Sequence, residues 1–177
     1  MKKQLEYIIQ FEGLKNGNHR FDFLITDVFF EALGTEIDFN HAQIQVAVDL
    51  VKSTTMLVFD FDIQGQALFP CDRCLDEYLQ PISSSQKLIV NFGEESQSDY
   101  DSIITLSRSE YEINLAPIIN DYILIALPMK RECANQISAK TCNPEMIQRI
   151  EELSVDPNSP KEPDPRWNAL QNKNNLN

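Results

Sequence analysis

Two neighbouring stretches of the chain alternate between apolar and polar residues with a period of two. Residues 43–50 read Gln-Ile-Gln-Val-Ala-Val-Asp-Leu, and residues 57–64 read Leu-Val-Phe-Asp-Phe-Asp-Ile-Gln. Successive side chains of a β-strand point to opposite faces of the sheet, so this pattern predicts two strands with one apolar and one polar face. The short polar stretch at residues 52–54 predicts a turn. We therefore expect an antiparallel hairpin with one face in water.

Patterns elsewhere in the chain place this hairpin in an α+β fold. The helical spacing of apolar residues is clearest at residues 114–127, which have a proline near the first turn and are followed by another. We expect a mostly antiparallel sheet or small open barrel, with one main helix and a flexible C-terminal tail. Further strands are predicted at residues 4–11, 19–25, 75–81 and 86–92, and shorter helices at residues 27–33 and 144–153.

The last part of the chain has the composition of a linker. Residues 154–165 contain four prolines, which favour extended backbone and leave few side chains to pack. We therefore predict one domain over residues 1–153, followed by a proline-rich linker and tail over residues 154–177. The single tryptophan, Trp167, lies beyond the prolines, and it either docks onto the domain or anchors a partner.

Four cysteines form two pairs along the chain. Cys71 and Cys74 form a C-x2-C motif after the predicted hairpin, and Cys133 and Cys142 follow the predicted helix with eight residues between them. A C-x2-C turn presents two sulfurs to one ion, and structural zinc prefers four thiolate or imidazole ligands in a tetrahedron. We expect a structural zinc site made by all four cysteines.

Two alternatives to zinc remain open from the residues alone. Four reduced cysteines can pack as small apolar side chains. A C-x2-C motif can also form a redox pair. That pair is typical of the start of a helix near a βαβ unit, however, whereas the motif in this chain follows a predicted β-hairpin.

The net charge of the chain is strongly acidic. Asp and Glu total 27 against 15 Lys and Arg, which gives −12 at pH 7. Acidic surfaces repel the phosphate backbone, so any RNA contact must be local or must pass through a protein partner. The clearest local cluster of cations is Lys130, Arg131 and Lys140, and we predict contact with RNA or a partner there and at Trp167. The alternative is that these cations only provide solubility.

Motifs of catalysis and of membrane insertion are missing from the sequence. The five glycines form no G-x-G loop, and no G-x-S-x-G, H-E-x-x-H or Walker pattern occurs. No apolar run approaches the roughly 20 residues of a membrane span. Residues 1–11 are interrupted by Glu6 and Gln10 and lack a secretion cleavage site. We expect a cytoplasmic protein that is not an enzyme, with no membrane contact and no small-molecule substrate.

Three short motifs occur in an order that resembles the YceD family. They are Cys-Asp-Arg-Cys at residues 71–74, Ile-Ala-Leu-Pro at residues 125–128 and Asp-Pro-Arg-Trp at residues 164–167. The resemblance runs from about residue 40 to about residue 170. It implies a non-enzymatic bacterial or organellar factor for accumulation of large-subunit (23S) ribosomal RNA. Such a factor binds that RNA or a pre-ribosomal particle, directly or through a protein. The alternative function is an acidic protein-interaction adaptor without RNA contact.

Overall fold

The computed structural model describes residues 6–93, 103–135 and 141–154. These residues form seven β-strands, three α-helices and a short 3-10 helix at Cys133–Asn135. The strands are β1 (Ile8–Ile9), β2 (Gly17–Ile25), β3 (Asn40–Lys52), β4 (Met56–Pro70), β5 (Glu77–Phe92), β6 (Ile103–Leu106) and β7 (Ile113–Asn114). The α-helices are α1 (Asp27–Leu33), α2 (Ala116–Ala126) and α3 (Pro144–Leu153).

Five strands form one open sheet in the order β2-β3-β4-β5-β6. Strands β2 to β5 are each antiparallel to the next, while β6 runs parallel to β5. Strands β1 and β7 form a separate antiparallel pair. The predicted α+β fold with a mostly antiparallel sheet is confirmed, and within the described residues the sheet does not close into a barrel. Helix α2 is the predicted main helix, and α1 and α3 are the two shorter helices predicted at residues 27–33 and 144–153.

The two alternating stretches form an antiparallel pair of strands, as predicted, and this pair lies within the sheet between β2 and β5. Along β3 and β4 nearly every second side chain is buried, and Val46 and Val48 lie opposite Ile63 and Phe61. Directly opposed side chains share a face of the sheet, so these residues build one apolar layer. Helix α2 packs on this face, where the ring of Tyr122 lies 5.1 Å from that of Phe61. Each fully buried side chain of this size contributes about 1.5–3 kcal/mol.

A row of aromatic rings extends from α1 to the end of β4. The helix ends at Gly34, whose φ of 70° is left-handed, and this is the residue at which the sequence predicted the end. Phe30 of α1 contacts Phe39 with ring centroids 5.2 Å apart, and Phe39 contacts Phe69 at 4.9 Å. All three rings are buried, so the last residues of β4 are held against the core.

Three predicted strand segments differ from the structure. Residues 75–81 and 86–92 were predicted as separate strands, but residues 77–92 form the single strand β5. Its backbone stays paired with β4 through the serines at residues 83–85, where the apolar pattern lapses. The stretch 4–11 forms only the two-residue strand β1 within its described part. Its partner β7 has only two residues as well, so no longer ladder forms there.

The described chain falls into two compact units, one ending at Asn143 and the next beginning at Pro144. In the second unit the described structure is helix α3, which was predicted with the same bounds, and none of its side chains is buried. The domain boundary predicted after residue 153 stays a prediction, because residues 155–177 lie outside the described structure. Among the described helices, none has the length and apolar character needed to cross a membrane.

Candidate metal centre

The connection between β4 and β5 is a tight turn that holds the first two cysteines. The Leu75 N–H donates to the Cys71 carbonyl at 3.0 Å, and the Cys71 N–H donates to the Asp76 carbonyl at 2.9 Å. Leu75 has a φ of 63°, a left-handed conformation that usually favours glycine. These bonds close the turn around Cys71 and Cys74, and both cysteines are buried.

The second pair of cysteines meets the first. Cys133 begins the 3-10 helix and is buried, whereas Cys142 is partly exposed. The Sγ atoms of Cys74 and Cys133 lie 3.5 Å apart, and those of Cys71 and Cys142 lie 3.8 Å apart. All four sulfurs lie within 4.8 Å of one another. The structure therefore brings together the four residues that the sequence proposed as one ligand set.

Two of the separations between the sulfurs fit a tetrahedral metal ion. A zinc–sulfur bond of about 2.3 Å places the ligands of a regular tetrahedron about 3.8 Å apart. The two separations of 3.5 and 3.8 Å agree with this value, and all four cysteines are free thiols. Each cysteine contributes one sulfur, and thiolates favour soft or borderline cations. The cluster is therefore compatible with a metal site.

The thiols of this cluster differ in acidity. Burial raises the pKa of Cys71, but backbone N–H groups, led by those of Cys74 and Arg73, outweigh it, and the pKa falls to about 6. Burial, followed by the hydrogen bond with Cys74, raises the pKa of Cys133. Burial, followed by the hydrogen bond with Cys71, also raises the pKa of Cys142. Metal ligands are thiolates, so a bound cation would displace protons from Cys133 and Cys142.

Two hydrogen bonds tie the two cysteine segments together. The Asp72 N–H donates to the Arg131 carbonyl at 2.7 Å, and the Arg131 N–H donates to Asp72 Oδ2 at 2.7 Å. Asp72 lies between the first two cysteines, and Arg131 lies two residues before Cys133. We call this reciprocal pair the Asp72–Arg131 clamp. Because it joins the backbone of Arg131 to both the backbone and the side chain of Asp72, it fixes where Cys133 lies relative to the first turn.

The side chain of Arg131 extends the clamp to the core. Its guanidinium lies 5.3 Å from the centroid of the Phe69 ring and donates to Asp38 Oδ2 at 2.5 Å. The hydrogen bond with Asp38 is the main cause of a raised pKa at Arg131. Only 23% of the Arg131 side chain is exposed. This guanidinium therefore has partners within the fold, in a stacked and paired geometry for which arginine is well suited.

The other residues predicted to contact RNA or a partner are only partly within the described structure. Lys130 is exposed, and its Nζ lies 3.0 Å from Oε1 of Glu132, a carboxylate that Arg73 approaches at 3.8 Å. Lys140 and Trp167 lie outside the described residues. The contact surface at Lys130, Arg131, Lys140 and Trp167 therefore stays a prediction.

Sequence reasoning missed the acidic and aromatic partners of the site. Asp38 and Phe69 hold Arg131, and the side chain of Glu132 is only 15% exposed between two cations. Asp72 could have been noticed because it belongs to the C-x2-C motif. Asp38 follows α1 and precedes Arg131 by 93 residues in the sequence, so no local pattern links the two.

Comparison with known proteins supplies one relative and one family. The chain is 30% identical over 78 residues to "Uncharacterized protein YlbN" of Bacillus subtilis (strain 168), and the match covers 44% of each chain. No solved structure matches the chain. The family described as "Large ribosomal RNA subunit accumulation protein YceD" matches residues 59–172, a span that includes all four cysteines and Trp167. The chain therefore belongs to the YceD family.

Proposed function

We propose that this protein is a non-enzymatic factor that supports accumulation of large-subunit (23S) ribosomal RNA and ribosome biogenesis, and that it acts by binding in the cytoplasm. The observation that supports this function is the family match over residues 59–172. The family description names accumulation of that RNA, and the matched region includes the cysteine cluster together with the helix and tail that follow it. Removal of the gene should therefore lower the ratio of 23S to 16S RNA. An unchanged ratio would contradict the proposal.

We further propose that the four cysteines hold one structural zinc ion. A site with four protein ligands has no open coordination position for water or substrate, which favours structure over catalysis. Bound zinc would join the β4–β5 turn to the segment after α2, in addition to the Asp72–Arg131 clamp. The role of the metal would then be to hold the segment that carries Lys130 and Lys140 against the sheet.

Elemental analysis of protein purified without chelator tests the zinc site. We expect one equivalent of zinc per chain and fewer than four titratable thiols until the metal is removed. Cys74→Ser should lower both the zinc content and the melting temperature, because metal binding contributes to folding free energy. Well under one equivalent of metal, with all four thiols reacting freely, would favour reduced cysteines that only pack.

The surface proposed for RNA or partner contact is the segment around Lys130, Arg131 and Lys140, together with Trp167. A chain with a net charge of −12 needs a local group of cations to approach phosphate. The Arg131 side chain also contacts Asp38 and Phe69, so a charge reversal there would disturb the fold as well as any contact with RNA or a partner. Lys130 and Lys140 are therefore the better positions for a binding test.

Co-sedimentation with large-subunit precursor particles across a range of salt concentrations provides that test. Each phosphate contact contributes about 0.7–0.9 to the slope of log affinity against log salt. Lys130→Gln and Lys140→Gln should each reduce the slope by about that amount if they contact phosphate. Lys87→Gln is the matched control, because Lys87 is an exposed cation of strand β5 that pairs with Asp60. The control should bind as the parent does.

The second candidate function is a protein-interaction adaptor that does not touch RNA. The net charge of −12 favours it, because acidic surfaces attract basic proteins and repel nucleic acid. Under this hypothesis both lysine variants associate with the particles as the parent does at every salt concentration. The protein would also still bind the isolated protein components of the particles, and it would not bind protein-free 23S RNA.

A further inference from the structure

Strand β2 forms an open edge of the five-stranded sheet. It spans nine residues, Gly17–Ile25, and pairs with β3 on one side only. No described strand pairs with its other side. The register with β3 is continuous over the whole strand, without a bulge. Half of the backbone hydrogen-bonding groups of β2 therefore face outward along an uninterrupted edge.

Strand β2 lacks several of the usual devices that prevent strand pairing. Natural sheets protect their edges with short strands, prolines, bulges, lysines or a covering element. The opposite edge, β6, follows that rule with only four residues. In contrast, residues 17–25 contain no proline and no lysine. An edge strand of nine residues without a bulge, a proline or a lysine is suited to pairing with another strand.

The charges on β2 match those of a second copy of β2. Arg20 and Asp22 point to the solvent face, and 62% and 70% of their side chains are exposed. In an antiparallel pair centred on Phe21, Arg20 of each chain lies opposite Asp22 of the other. The same centre pairs all nine residues, because Phe21 is the midpoint of the strand. A centre at Arg20 or Asp22 would instead place two like charges opposite each other, which is destabilising.

The apolar face agrees with the same arrangement. Phe21 and Phe23 lie opposite Val48 and Val46 of β3, which are buried, so both rings are on the inner face of the sheet. Both rings are only partly buried, because no strand flanks β2 on its outer side within the described residues. A second copy in the register centred on Phe21 places the two Phe21 rings opposite each other. This pair extends the apolar layer across the junction, and each Phe23 lies opposite His19 of the other copy.

We propose that this protein forms a two-fold symmetric homodimer by antiparallel pairing of β2 with β2 of a second copy. The two five-stranded sheets then become one continuous sheet with both apolar faces on the same side. Two-fold dimers use the same surface on both subunits, as this register requires. Each chain has a net charge of −12, so mutual repulsion opposes association and is screened as salt is added. The proposal is independent of the metal centre and of ribosomal RNA.

A charge exchange tests the proposed interface. The full-length parent should sediment as a concentration-dependent dimer at physiological salt. Arg20→Asp and Asp22→Arg should each weaken self-association by about tenfold or more, because each places two pairs of like charges opposite each other. An equimolar mixture of the two variants should associate again, because every opposed pair of positions 20 and 22 then joins a carboxylate to a guanidinium. Both positions are highly exposed, so both variants should fold, and circular dichroism checks this.

Three results would overturn the dimer. One is a parent that remains monomeric throughout the micromolar range. Another is self-association of both single variants at the strength of the parent, which would place the interface elsewhere. The third is a mixture that associates no better than the single variants do. A monomer with β2 amides protected from hydrogen exchange would show that another segment of the chain covers the edge.

Discussion

Gly65 of β4 lies close against the backbone of β3, and its replacement by alanine gives a sharp test of the sheet. A Cβ atom at this position would overlap the Gln43 carbonyl oxygen and lie 2.5 Å from the Cα of Ile44. Both are backbone atoms of the central strand β3, so neither can move as a flexible side chain would. The ladder is also irregular next to this point, between the pairings of Asn40 and Gln43.

The expected cost of Gly65→Ala follows from two opposing effects. Overpacking of this kind costs about 1–3 kcal/mol, and a backbone clash lies at the upper end. Alanine also lowers the conformational entropy of the unfolded chain, which stabilises the folded state by about 0.4–1 kcal/mol. We therefore expect the free energy of unfolding to fall by about 2–3 kcal/mol. For a chain of this length that corresponds to a melting temperature lower by about 5–10 °C.

Urea and thermal denaturation of the parent, Gly65→Ala and Gly13→Ala provide the assay. Gly13 is the matched control, because a Cβ there meets no atom within 4 Å and its φ is not left-handed. The control should be unchanged or more stable by about 0.4–1 kcal/mol. Equal stability of the two variants would refute the reasoning, because the close approach of β3 and β4 would then have no energetic consequence.

Three other perturbations have defined outcomes. Leu75→Gly should raise the free energy of unfolding by about 0.5–1 kcal/mol in urea titrations. A left-handed leucine costs roughly 1–2 kcal/mol, and the greater flexibility of glycine in the unfolded chain offsets about 0.5–1 kcal/mol of the relief. An unchanged midpoint would show that the φ of 63° is unstrained. Arg131→Ala should lower the free energy of unfolding by about 1–2 kcal/mol through loss of the Phe69 and Asp38 contacts. Lys87→Ala, the exposed control, should change it by less than about 0.5 kcal/mol, and equal losses would contradict a special role for Arg131. Removal of residues 154–177 should leave the melting temperature unchanged, whereas a large decrease would show that the tail is docked.

The sequence predicted the centre of the sheet well because that region is governed by local pattern. Residues 43–50 and 57–64 have one face buried and one exposed, so a period of two identified both strands and their pairing. The end of α1 at Gly34 was predictable for a similar reason, since a left-handed residue after a helix is usually glycine. In both cases the physical cause lies within a few residues of its effect.

The parts that the sequence did not predict depend on partners far along the chain. The serines of β5 show no apolar pattern, and they remain in the strand because β4 pairs with them. The environment of Arg131 depends on Asp38, 93 residues away, so a cation proposed for contact with RNA could not be recognised as part of the fold. The cysteine cluster is an exception, because the chemistry of four thiols suggests a shared ligand without any local pattern.

The long sequence separation of the cysteine pairs has a consequence for the order of folding. Strands β2 to β5 pair with their neighbours along the chain, so the sheet can form through successive short-range steps. Cys133 lies 59 residues beyond Cys74, and Cys142 lies 71 residues beyond Cys71, so the cluster closes only when these distant segments return to the sheet. During synthesis on the ribosome, the β4–β5 turn therefore emerges and folds while its ligand partners are still missing. Closure of the four-cysteine cluster is therefore a late step in folding, because the segment after α2 can attach only once the turn between β4 and β5 has formed.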